Sequence, residues 1–167
     1  MPDDPISQFV TTAFSYCQLI DDIASQSRRS FLQEVRKTLP LMYYHALHLP
    51  EVESSHASND RDITHEQWQQ KYKSIQQLLG KYDLYWEVFD PIKTPTEEPV
   101  AASLADDLSD IWRDIKPGTD HWADASPQGR EEILWNWHFS FHYHWSNHAV
   151  DALRAIDRLE EQYETTD

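Results

Sequence analysis

Three glycines in 167 residues restrict what this chain can fold into more than any other feature of the sequence. Tight hairpins draw on glycine for their positive φ angles, so a large antiparallel β fold is excluded. Neither G-x-G-x-x-G nor G-x-x-x-x-G-K-[ST] occurs, which sets aside dinucleotide and P-loop chemistry. The chain nevertheless has the means to fold. Forty per cent of its residues are hydrophobic, and 7 Trp, 8 Tyr and 6 Phe supply more ring area than a disordered acidic chain carries. The length suits one domain, spanning residues 1–167.

Helix signals then agree with the apolar period. Asp4 as N-cap and Pro5 at the first helical position predict a helix with Ile6, Phe9, Val10, Ala13, Phe14, Cys17, Ile20 and Ala24 on its buried stripe. Ser30 with Gln33 predicts a second start, Pro40 a kink or restart, and Pro50 an end. Thr64 and Gln67 form a capping box ahead of Trp68, Tyr72, Ile75 and Leu79, and Gly80 supplies the stop. Ser103 with Asp106 opens a helix seamed by Leu104, Leu108, Ile111 and Ile115 and closed by Pro117 and Gly118.

The last helical region runs from Pro127 to about Tyr163, or about 55 Å at the helical rise. A compact domain of this size is only ~40 Å across, so this helix must project, bend or break, with Ser140 or Ser146-Asn147 as the break points. Residues 51–62 read as an exposed, mobile loop and 81–100 as a ring-pinned connection. Leu84, Trp86 and Val88 alternate like a strand, but with no evident partner the segment is assigned to loop. The expected fold is all-α: a single-domain five- or six-helix bundle with a long C-terminal helical region.

With 29 Asp+Glu against 14 Lys+Arg the net charge is -15. A phosphate backbone is repelled by that field, so no nucleic-acid partner is expected, whereas a basic protein is attracted. Cys17 is the only cysteine, which excludes an internal disulfide. The amino-terminal residues lack a secretory pattern, and no apolar run approaches the ~18 residues of a membrane span. These features predict a cytoplasmic chain with no membrane partner.

Several blocks carry a family resemblance. Phe31-Leu32, Leu39-Pro40-Leu41, Leu49-Pro50 and the run from Tyr85-Trp86-Glu87 to Asp90-Pro91 resemble a bacterial domain-of-unknown-function family. The acidic block from Leu104 to Ile111 and the His-Trp block Phe141-His142-Tyr143-His144-Trp145 are similar to blocks of the same family, with Ser146 standing where that pattern has glycine. The resemblance implies an all-helical bacterial protein and brings no activity, substrate or catalytic residue.

Four of nine histidines crowd into one stretch. His138 with His142, and His144 with His148, are each spaced as ligands on adjacent turns. A wheel drawn on Leu134, Phe141, Trp145 and Ala152 puts the two pairs on opposite edges, so a metal would take one pair plus carboxylates from a second helix. Asp107 and Asp114 flank the seam of that second helix closely enough to serve, whereas Asp106 and Asp110 fall on its solvent side. Asp110→Ala is therefore expected to matter little, and truncating Trp68 or Trp145, both on apolar seams, to cost ~3–5 kcal/mol. The plain alternative is that the imidazoles line a bundle edge and the acids face water.

Tyr82, Tyr85, Trp86 and Phe89 form an aromatic cluster fit either to seal the bundle or to anchor a partner. Two functions compete. The first is a non-catalytic adaptor or regulatory protein that binds a basic protein through this cluster and needs no cofactor. The alternative is a hydrolase of a phosphorylated small molecule that uses a divalent metal held by histidines among His138, His142, His144 and His148 together with Asp107 and Asp114.

Overall fold

The structure, a computed structural model, describes residues 4–57, 62–88, 90–92 and 98–164, with side chains as far as Leu159. Helix dominates. α1 (Pro5–Asp21), α2 (Arg28–Ala46), α3 (His65–Leu79), α4 (Leu104–His121), α5 (Pro127–Ser140) and α6 (Ser146–Glu164) are accompanied by two short strands, β1 (Leu84–Glu87) and β2 (Val100–Ser103). A five-residue π turn, Phe141–Trp145, joins α5 to α6 without a loop.

Local chemistry accounts for most boundaries. Pro5 starts α1, and the Thr64–Gln67 capping box opens α3 with both reciprocal hydrogen bonds made. Gly80 ends α3 at φ +58°, a conformation that glycine adopts without a steric penalty. Ser103 caps α4 by accepting from the Asp106 amide. Asp83 reinforces that start: its Oδ1 accepts from the Ala105 amide at 2.8 Å, and its carbonyl accepts from the Leu104 amide.

Several expectations require correction. α2 begins at Ser27, whose hydroxyl accepts from the Ser30 amide, so Ser30 lies inside the first turn. Neither Pro40 nor Pro117 interrupts its helix. The lost hydrogen bond is offset at both sites by burial of the residues around them, Leu39 and Met42 in α2 and Ile115 and Gly118 in α4. Leu84, Trp86 and their neighbours form a strand after all, because Val100–Ser103 returns antiparallel with Leu84 opposite Ser103. Residues 51–57 are irregular but tethered to α5 through Ser54 and Ser55, which donate to Glu132; residues 58–61 lie outside the described set. On α1, Phe14 turns outward while Tyr16 turns in and donates to the Leu108 carbonyl, and Ala24 lies exposed in a 3-10 turn after the helix ends at Asp21.

α4 is the central helix. It packs against α1, α3, α5 and α6, so residues on nearly every side of it are buried. Trp137 and Trp145 are fully enclosed, whereas Trp68 is only half-buried, stacked between His65 and Tyr72. Cys17 is buried, and that burial pushes its thiol pKa up to about 12, which makes it an inert packing group. No helix among the described residues is long and apolar enough to cross a membrane.

Candidate metal centre

Asp107, Asp110 and Asp114 recur at i, i+3 and i+7 along α4 and so share one side of it. Facing them are His144, in the π turn, and His148, one turn further on in α6. A π turn closes i→i+5 hydrogen bonds in place of the i→i+4 bonds of an α-helix, and such turns recur at functional sites.

Two carboxylates aim the two imidazoles. His144 Nδ1 lies 2.7 Å from Asp114 Oδ2, and His148 Nδ1 lies 2.8 Å from Asp107 Oδ1. An ionised carboxylate can only accept, so in each ring Nδ1 carries a proton, and in the neutral ring the lone pair falls on Nε2. Both Nε2 atoms converge on one oxygen, Asp110 Oδ2, at 3.8 Å from His144 and 3.7 Å from His148. These separations are too long for hydrogen bonds. They approach the edge of a tetrahedron of ligands around a metal, ~3.4 Å for bonds of about 2.05 Å.

The surroundings hold the arrangement. Tyr85, from β1, donates its hydroxyl to Asp107 Oδ2 at 2.6 Å, so both oxygens of that carboxylate are engaged. Asp110 Oδ1 is buried and accepts no hydrogen bond among the described residues; Arg113 approaches it to 3.3 Å at ion-pair range only. His144, His148 and Asp110 side chains are 38%, 25% and 12% exposed, which leaves the centre open to solvent on one side. A cleft of about 330 Å³ between α4 and α5 begins at Arg113 and Asp114 and runs to Asn136 and Ser140.

Electrostatics favour a cation here. The hydrogen bond to Asp114 raises the His144 pKa above its ordinary value. Burial works against the charged form of His148, but the hydrogen bond to Asp107 and the nearby carboxylates outweigh it, so this pKa is raised too. Burial, followed by the charges of neighbouring carboxylates, raises the pKa values of Asp106, Glu87 and Asp151. These shifts mark a negative local field, which a bound cation would relieve.

The sequence candidates separate accordingly. His144 and His148 meet at the cluster, and Asp107 and Asp114 hydrogen-bond to their far ring nitrogens. Asp110, assigned from the sequence to the solvent side, is buried, and its carboxylate is the third group of the cluster. It was misplaced because the wheel grants α4 a solvent face that α3 and α6 cover. The signal was present in the 107, 110, 114 spacing. His138, at the end of α5, and His142, in the π turn, lie ring to ring at 4.4 Å and are not among the groups of the cluster. Tyr82, Tyr85 and Trp86 line a separate cavity, and Phe89 lies outside the described residues.

Fold and site together define an all-helical bundle with a histidine–carboxylate cluster between its central and last helices. The family model described as domain of unknown function DUF5063 matches residues 1–162, and the chain belongs to that family. The fold is similar to the crystal structure of protein BF1032 from Bacteroides fragilis, with a TM-score of 0.82 and 23% sequence identity over 94% of this chain and 92% of that one. A comparison with curated proteins gives no match.

Proposed function

We propose that the protein is a metal-dependent hydrolase, holding one divalent first-row transition ion on His144 Nε2, His148 Nε2 and Asp110 Oδ2. The observation that carries the reading is the convergence of two Nε2 atoms on one carboxylate oxygen, each ring fixed from behind through Nδ1. Carboxylate–histidine–metal pairs of this form set ligand orientation and basicity. Two imidazoles and a carboxylate suit zinc, iron(II) or manganese and leave coordination positions open.

A divalent ion held there would supply a water of pKa about 7, a nucleophile near neutral pH, on the side the cluster leaves open to solvent. The cleft ending at Arg113 and Asp114 gives a small substrate room one turn away, and the Arg113 guanidinium is placed to pair with an oxyanion such as a phosphoryl group. The test is hydrolysis of p-nitrophenyl phosphate by protein loaded with zinc, iron(II) or manganese. Turnover that disappears on chelation and in His148→Ala supports the reading; no turnover with any of the three ions sinks the hydrolase.

A non-catalytic protein-binding role is the second reading. Its support is Trp86, an indole 70% exposed on β1 of an acidic chain; the cations Lys81, Arg154 and Arg158 beside that indole count against a basic partner there. Capture of a basic protein, lost in Trp86→Ala and in moderate salt, supports it; capture that survives the substitution counts against it.

A further inference from the structure

A cavity of about 560 Å³ opens between β1 and the C-terminal part of α6, and its walls do not share the charge of the chain. The whole molecule carries -15. Among the described residues, the charged side chains of this cavity are nevertheless all cationic: Lys81, Arg154 and Arg158. The rings of Tyr82, Tyr85 and Trp86 line the same space.

Several of these groups are held in place before any ligand arrives. Arg154 donates to the Trp86 carbonyl at 3.0 Å, which fixes its guanidinium against the strand. The Tyr82 ring lies 5.0 Å from the Lys81 ammonium and 4.4 Å from the Arg28 guanidinium. Tyr85 is anchored through its hydroxyl to Asp107. Trp86 presents a largely exposed indole.

We propose that this cavity binds an anionic small molecule built on a planar ring: an aromatic phosphate, sulfonate or carboxylate. The ring stacks on the aromatic wall, and the acid head pairs with Lys81, Arg154 and Arg158. The volume lies in the range of small-molecule sites. A cationic ligand would meet three like charges at the same wall. The proposal stands without the metal centre, which the cavity meets at Tyr85.

The test uses 8-anilinonaphthalene-1-sulfonate as probe, titrated into the folded full-length protein and followed by its fluorescence. N-phenyl-1-naphthylamine, the same ring system without the sulfonate, is the control. The sulfonate is expected to bind saturably at one site, about tenfold more tightly than the control, with affinity falling as salt is added. Trp86→Ala and the double variant Lys81→Ala, Arg158→Ala should each weaken it about tenfold while circular dichroism stays native. Equal affinity for both probes, unchanged affinity in the double variant, or no saturable binding overturns the proposal. Should the double variant lose its fold, the two probes on the wild type decide alone.

Discussion

His148 and Asp107 form the hinge of the candidate centre, with imidazole Nδ1 2.8 Å from carboxylate Oδ1. That contact sets which nitrogen faces Asp110, and Tyr85 locks the same carboxylate from the other side. Partners of this kind are worth about 10–100-fold in metal affinity. Asp107→Ala should therefore weaken zinc binding by about that factor, measured by competition with a chromophoric chelator. Tyr85→Phe should act in the same direction and by less. Unchanged affinity in Asp107→Ala would mean that the contact does not orient a ligand.

Gly118 of α4 sits against Trp137 of α5. A β-carbon there would overlap the Trp137 indole, which is fully buried and donates to the Ile115 carbonyl. Helix propensity alone would make alanine about 1 kcal/mol better than glycine, but overpacking against a fixed ring costs about 1–3 kcal/mol. Gly118→Ala is expected to lower the urea midpoint. A midpoint that rises would show that Trp137 has room to move.

Asp21 ties three helices together, pairing with Lys71 of α3 at 2.8 Å and Lys116 of α4 at 2.9 Å. Burial opposes its ionisation, but the hydrogen bonds and charges of the two lysines outweigh that and hold its pKa below the ordinary carboxylate value. A depressed pKa in the folded state means that the contribution to stability is complete above the unfolded value, near 3.8, and is lost as pH falls through the folded one. The stability difference between wild type and Asp21→Asn should be constant from neutral pH to about pH 5 and shrink below it. A difference that grows on acidification would contradict the pairing.

How much of the fold was legible in the sequence depends on the range of the forces involved. Thr64 with Gln67, Gly80, and Ser103 act within one turn, so their helix ends could be read directly. Pro40 and Pro117 could not, because a local preference against helix is outweighed by burial of neighbours against distant elements. β1 was missed because its partner strand begins at Val100, across a segment that reads as loop.

The same distinction applies to the site. The His144, His148 spacing is a local signal, and Asp107 and Asp114 flank an apolar seam. Asp110 is different. Its burial comes from α3 and α6 closing over α4, which an amphipathic wheel for a single helix does not contain.

The central claim is a metal held by His144, His148 and Asp110, and isothermal titration of untagged, metal-free protein with zinc tests it most directly. The wild type should take up one equivalent, and His148→Ala and Asp110→Ala should each weaken binding by about 100-fold or more, since each removes a ligand atom. His138→Ala, outside the centre, should bind as the wild type does. No saturable uptake by the wild type, or a loss in His138→Ala that His148→Ala does not share, would contradict the account.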